Sequence, residues 1–375
     1  GGVIYYYANR ETSIEEAYRR QYRNHRLENI ILFRSGPHAS SYVKGMDFAD
    51  NARALFEYMV ERGYHKTYKL IWYLHEPDQY PQLRSMKNVR LISYEWEKSH
   101  RLKDNVRYFY HLCSAGYLFT TDTHFWMRYC NKGQIRVNLW HGCGFKDRKI
   151  KTPTGENYDY MTVVSPLYAD IHAERFGVSR EKMIDTGLAK EDLLFHPPEK
   201  ELSDLLHVGK AGKYVFWLPT FRMAIEGMEK LNEYELNSDT GLSIVNTVEK
   251  AQKLNELLEE KDIALIIKIH PLQRDASLLP LNFSRIFVIE SSAVESTGYQ
   301  INTLLSKADA LISDYSSAAV DYMLLDRPIA FALEDEEQYR ESRGFVFDNI
   351  HDYLPGKELY TYRDLEQFLT EIAEE

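Results

Sequence analysis

The stretch at 308–331, "ADALISDYSSAAVDYMLLDRPIAF", changes its period halfway along. Ala310, Leu311 and Ile312 make a short continuous apolar run, the pattern of a strand covered on both faces. Val320, Tyr322, Met323 and Leu325 then recur at helical spacing. Between the two lie Ser313, Asp314, Tyr315, Ser316 and Ser317, a hydroxyl-rich join. A buried strand that feeds directly into a helix is half of a βα unit. Repeated along a chain, such units build a parallel sheet with helices on both faces.

The alternation does repeat. Strand-like runs occur at 29–33, 68–74, 89–94, 135–142, 160–166, 213–220, 264–271, 284–290 and 308–314, and the segment 107–121 reads as a helix running into a strand. Helical periodicity occupies 48–63, ended by Gly63, and 244–260, and the acidic end "TYRDLEQFLTEIAEE" reads as a final helix. These are too many strands for one sheet of ordinary size. The fold class expected is therefore α/β, with two Rossmann-type domains. With 375 residues, 44% of them hydrophobic, the chain has material for two cores. The Pro- and Gly-containing stretch 195–213 reads as their junction, giving domains at 29–205 and 206–375.

Residues 1–28 stand apart. Ser13 and Glu16 form a capping box that opens a helix over 12–27, with Ile14, Ala17, Tyr18 and Tyr22 on one side and Arg19, Arg20, Arg23 and Arg26 clustered nearby. Two readings stand for it: a solvated surface helix, or a basic helix lying on anionic membrane.

Bulk composition narrows the function. A net charge of −10 argues against a general nucleic-acid binder, which shows a basic footprint. Three cysteines, Cys113, Cys130 and Cys143, have neither zinc spacing nor a disulfide framework, so a reduced compartment is expected. No stretch approaches the roughly 18 consecutive apolar residues of a membrane span, and no signal-peptide core is visible, so a soluble or peripheral protein is expected. The 28 tyrosines read as packing.

In open parallel sheets, ligands bind beyond the carboxyl ends of the strands. Here those ends carry Trp140-His141-Gly142-Cys143-Gly144-Phe145-Lys146, Ser165-Pro166, Pro219-Thr220-Phe221-Arg222, His270-Pro271 after Lys268, and the opening serines. Hydroxyls, cations and two histidines gather where acidic groups are scarce, which suits an anionic, phosphate-bearing ligand. Ser316 and Ser317 at a helix start present hydroxyls and free N–H groups to an anion; the alternative is an ordinary helix cap. His141 on a glycine-flanked strand end has the position and ordinary pKa of a general base, or it is a structural histidine. Arg222 has the fork to clasp a phosphate, or it is a surface arginine. Phosphate-loop, dinucleotide, serine-elbow, two-metal and zinc signatures are all missing from the sequence.

Taken in order, the motifs resemble the CDP-glycerol glycerophosphotransferase family, which includes teichoic-acid polymerases and primases and related capsule enzymes. "WHGCGFK" (140–146), "TGLAKEDLL" (186–194), "PTFR" (219–222), "KIHP" (268–271), "SDYSS" with "DYMLLDRPI" (313–329) and "YRESRGFVFD" (339–348) carry the likeness, over roughly residues 29–370. The resemblance implies a GT-B-like architecture of two Rossmann-type domains facing across a cleft. The C-terminal one would bind the CDP-alditol donor and the N-terminal one would present the acceptor.

It implies His141 as base on the acceptor hydroxyl, with His270 stabilising the departing CMP. The implied donor set is Arg222, Thr220, Lys268, Ser313, Asp314, Ser316, Ser317, Asp321, Thr186 and Gly187. Gly142, Cys143, Lys146 and Ser165 would shape the acceptor side. No metal or cofactor beyond the CDP-glycerol substrate is implied; CDP-ribitol and a nucleotide-sugar glycosyltransferase remain the alternatives. A lipid-linked or polymeric acceptor would place the enzyme at the inner face of the cell membrane. Cys143 and Gly144 stand where the family usually has Thr and Pro, and Lys190 departs from the usual Arg, which weakens any role for it.

Overall fold

Strand β1 (Glu28–Arg34) is buried along nearly its whole length, and its alternate side chains feed two different cores. In this computed structural model, residues 22, 24–35, 48–93, 101–121, 131–147, 157–220, 222, 234, 236–269 and 283–374 are described. The amphipathic helix expected at 12–27 falls outside them apart from Tyr22 and 24–27, and His270 falls outside them entirely.

The chain forms two compact units: the described residues of Gly1–His141 with Thr152–Lys190, and those of Gly142–Lys151 with Glu191–Glu375. The changeover thus falls at Lys190–Glu191, ahead of the junction expected from composition. The short segment after His141 also belongs to the second unit.

The first unit holds seven parallel strands in the order β3-β2-β1-β4-β5-β6-β7. After β1 come β2 (Lys69–Leu74), β3 (Val89–Ser93), β4 (Ala115–Thr120), β5 (Ile135–Asn138), β6 (Tyr160–Val163) and β7 (Met183–Asp185). Ile31 and Phe33 point with Leu70 and Trp72 toward helix α1 (Asp50–Glu61), meeting Ala52 and Phe56. Ile30 and Leu32 point the other way, toward α2 (Leu102–Ser114) and α3 (Pro166–Phe176), meeting Leu112 and Ala169. Coverage on both faces is why the central strands β1 and β2 run apolar through consecutive positions rather than alternate ones.

The second unit holds six parallel strands in the order β10-β9-β8-β11-β12-β13. They are β8 (Lys213–Trp217), β9 (Ile263–Lys268), β10 (Ile286–Ile289), β11 (Ala310–Ser313), β12 (Ile329–Ala332) and β13 (Lys357–Leu359). Val215, Leu265 and Ile312 pack with Leu254 and Leu258 of α4 (Val248–Glu260) and with Leu365, Phe368 and Leu369 of the last helix, α6 (Tyr362–Glu374).

The two parallel-sheet α/β domains expected from the sequence are both present. Two details differ. The helix after β11, α5, runs only from Ser317 to Tyr322, tightens into a 3-10 turn at Met323–Leu325 and ends at Asp326, whose φ of 51° is left-handed. The closing "IAF" of the opening stretch is strand β12, started by Pro328. The short β7 and β13 had no apolar run long enough to mark them. Among the described residues, no helix is long and apolar enough to cross a membrane.

Candidate functional site

Strand order reverses between β1 and β4 in the first unit and between β8 and β11 in the second. Ligands in open sheets bind beyond the strand ends at such reversals. The residues singled out from the sequence cluster at these two places and at the ends of neighbouring strands.

In the first unit, β5 stops at Asn138 and the backbone turns sharply. Trp140 has φ +52°, a left-handed conformation that L side chains seldom adopt, and Gly142 follows at φ +152°. The bend is held from several sides. Trp140 N–H donates to Asn138 Oδ1 at 2.8 Å, and Thr162 Oγ1 donates to Leu139 O at 2.8 Å. Asn51 Nδ2 donates to Trp140 O at 3.0 Å and to Leu139 O at 3.3 Å, and Lys190 Nζ donates to His141 O at 2.9 Å.

His141 is thereby presented as an exposed side chain, its ring 4.0 Å from that of Trp140. His141 Nδ1 lies 3.3 Å from Thr121 O. A carbonyl only accepts, so Nδ1 is the donor in this contact and Nε2 is the ring nitrogen on the other side. Beneath Trp140 sits buried His172, ring centroids 5.8 Å apart. Burial, then Arg175 and His141, push the His172 pKa down to about 3, so it stays neutral at pH 7.

Ser165 caps α3 by accepting from Tyr168 N–H at 3.3 Å. Thr186 is exposed and bonds the next carbonyl, while Gly187 N–H donates to Val163 O at 3.0 Å. These two residues, implied as donor-binding, stand in the first unit, whereas the other residues of that set belong to the second.

In the second unit, the ends of β8 and β11 are tied together. Asp314 Oδ1 accepts from Thr220 Oγ1 at 2.6 Å, and its Oδ2 accepts from Thr220 N–H at 2.8 Å and from Arg222 Nη1 at 2.9 Å. Arg222 also bonds Thr220 O through Nη1 at 2.6 Å. Its Nε and Nη2 reach Asp335 at 2.7 and 3.1 Å. Tyr315 and Tyr339 lie 5.3 and 5.1 Å below the guanidinium. Tyr234 and Tyr315 hydroxyls complete the shell of Asp335 at 2.6 and 3.2 Å.

The fork that the sequence offered to a phosphate is thus engaged by two buried carboxylates. Arg222 is a buried structural hub rather than a surface cation. Burial pushes the Asp335 carboxyl up, but the Arg222 guanidinium and hydrogen bonds from Arg222, Tyr234 and Tyr315 outweigh it and leave the pKa below the usual range. Burial works against the charge on Arg222 as well, but Asp314 and Asp335 hold its pKa well above the ordinary value.

The opening serines divide their tasks. Ser313 is fully buried and its Oγ has no hydrogen-bond partner among the described residues. Ser316 is the N-cap of α5, its Oγ accepting from Ala318 N–H at 3.4 Å, so the ordinary cap is realised. Ser317 follows, and Gly144 lies against it: a Cβ at Gly144 would come within 3.0 Å of Ser317 N and Cα. A side chain at this position would press on that backbone, which favours glycine here.

Cys143 and Phe145 are buried beside it, and Lys146 pairs with Phe345 as an antiparallel bridge. Asp321 is also buried, accepting from Asn302 Nδ2 at 3.2 Å, and does not line a surface. On β9, Lys268 Nζ lies 3.4 Å from Ser291 Oγ, and burial pushes its pKa down to about 8 despite Glu295. Asn51, Thr121, Asp335 and the tyrosine shell went unnoticed in the sequence, since their partners lie far along the chain. The pairing of Asp335 with "PTFR" has no local signature.

Residues 17–375 match the family described as CDP-glycerol:poly(glycerophosphate) glycerophosphotransferase. The chain is 30% identical over 216 residues to the teichoic acid glycerol-phosphate primase of Bacillus subtilis strain 168, covering 58% of this chain and 49% of that one. It is 29% identical over 266 residues to the teichoic acid poly(ribitol-phosphate) polymerase of Bacillus spizizenii, covering 66% and 40%. The chain therefore spans about half or less of these relatives' own length. Among solved structures, the wall teichoic acid polymerase TagF has the same fold, with a TM-score of 0.70 at 19% identity over 99% of this chain and 88% of that one. On the family match over nearly its whole length, the chain belongs to the CDP-glycerol glycerophosphotransferase family.

Proposed function

We propose that this chain transfers glycerol phosphate from CDP-glycerol to a hydroxyl of a teichoic-acid or capsule glycopolymer, releasing CMP. The acceptor oxygen attacks the β-phosphorus, the bond from that phosphorus to the bridging oxygen breaks, and the acceptor proton passes to His141 Nε2. The observation that carries this reading is the presentation of His141 on a held, left-handed bend with Nδ1 tied to Thr121 O. General-base assistance of this kind contributes roughly 10²–10⁴ in rate.

Phosphoryl transfer asks for positioning and charge stabilisation more than for covalent chemistry. The cation at Lys268 and the turn at Ser316–Ser317, held by the Arg222 hub, supply donors for a diphosphate. No step in this scheme calls for a metal. The acceptor is lipid-linked or polymeric in this reading, and the enzyme works peripherally at the inner face of the cell membrane, where the basic segment 12–27 has a use.

CDP-ribitol is the second reading, and its support is the similarity to a poly(ribitol-phosphate) polymerase. Thermal shift with CDP-glycerol, CDP-ribitol and UDP-sugars separates the donors. Stabilisation by CDP-glycerol is expected; stabilisation by UDP-sugars alone would overturn the reading in favour of a glycosyltransferase.

A further inference from the structure

We propose that Lys190, seated by Asn51, is a positioning residue that aims the His141 imidazole. The inference rests on the reading of His141 as the base. Three consecutive carbonyls, those of Leu139, Trp140 and His141, each accept from a side chain remote in sequence: Thr162 and Asn51, Asn51 again, and Lys190. Leu139 and Trp140 are buried, so their carbonyls need partners within the protein, and both find them on elements remote in sequence. Gripping all three fixes the backbone torsions through the left-handed Trp140, and with them the direction in which His141 leaves the chain.

The grips are linked to one another. Asn51 is fully buried on the first turn of α1, and while its Nδ2 holds the bend its Oδ1 accepts from Lys190 N–H at 3.0 Å. That bond fixes the backbone of Lys190. The ammonium is then placed between His141 O at 2.9 Å and Asp50 Oδ1 at 3.9 Å. A single polar unit of α1 and the segment after β7 thus reaches the last carbonyl before Gly142.

Asn51 sits within the core, so its removal threatens the fold. The Lys190 side chain lies at the margin, 12% exposed, and its ammonium meets His141 O and Asp50 Oδ1. Replacing it separates aim from stability. An arginine in its place would keep the charge and the donors.

The test compares wild type, Lys190→Met and Lys190→Arg in transfer from CDP-glycerol or CDP-ribitol, alongside thermal melting. Lys190→Met is expected to lower kcat by roughly tenfold or more, as misaimed catalytic groups do, with KM for the donor held within about twofold. Its melting temperature should stay close to that of wild type, and Lys190→Arg should recover most of the activity. An unchanged kcat, or a rise in KM alone, would overturn the proposal.

A second arm needs no turnover. In ¹⁵N-histidine-labelled protein, with the His141 signal assigned through His141→Gln, wild type should show the Nδ1–H tautomer and Lys190→Met a mixture. Identical spectra would overturn the positioning role. A wild type that consumes neither CDP-alditol defeats the donor reading instead, and the spectra still decide this one.

Discussion

The two units hold their candidate functional turns by opposite means. In the first, the bend at Trp140–His141 is pinned mainly through backbone carbonyls, by Asn51, Thr162 and Lys190, and the histidine beneath it is kept neutral by burial. In the second, the ends of β8 and β11 are locked by a buried cation between two carboxylates. The bend that carries His141 is gripped through its backbone carbonyls, and the ring itself is oriented by Thr121 O and the Trp140 ring. The turn after β11 is instead held in shape by a buried guanidinium fork with a carboxylate on each side. The contrast makes the first site sensitive to loss of one side chain's chemistry and the second to loss of one side chain's charge.

His141→Ala should have the largest effect, lowering transfer by roughly 10²–10⁴ while donor binding survives. Steady-state rates and a binding isotherm check it, and full activity would remove His141 from the chemistry. Arg222→Met comes next. It strands Asp314 and Asp335 in the interior, which costs about 3–5 kcal/mol. Denaturant melts should show it, and Arg222→Lys should not restore stability, because an ammonium cannot bridge both carboxylates with a planar fork. If Arg222→Met instead melted like wild type and only raised KM, the hub would be a ligand-binding cation after all.

Acid separates the units further. His172 has a folded-state pKa near 3 against 6.5 unfolded, so its stabilising contribution is complete above pH 6.5 and is lost as pH falls toward 3. Asp335 is lowered from 3.8, so its contribution is complete above about pH 4 and disappears only as pH falls below that. Thermal melts from pH 7 to 4 should therefore weaken the first unit first, and His172→Phe should flatten that slope. A slope unaltered by His172→Phe would place the mild-acid sensitivity elsewhere.

The smallest effect is expected of Ser316→Ala. Losing the cap of α5 costs about 1 kcal/mol. A melt shift of that size without change in KM marks Ser316 as a cap; a large rise in KM marks it as a ligand contact.

What the sequence displayed follows the reach of its signals. Apolar runs such as 69–74 and 263–268 are local, and they gave the strands and the two-sheet class. Ser316 as a helix start was visible for the same reason. Asp335 lies 113 residues from Arg222, and Asn51 lies 89 from Trp140, so neither partnership leaves a local trace. The left-handed Trp140 was hidden as well, because it is the surrounding donors, not its residue type, that select that conformation. Fold class was therefore legible and the motif positions were too, whereas the distinction between a ligand-facing arginine and a buried hub required the folded chain.

The most direct measurement is mass analysis of the products formed by the purified chain from CDP-glycerol and a panel of lipid-linked acceptors. CMP should appear together with acceptor carrying added glycerol phosphate, and His141→Ala should yield neither. Consumption of a UDP-sugar with CDP-glycerol left intact would contradict the proposed reaction.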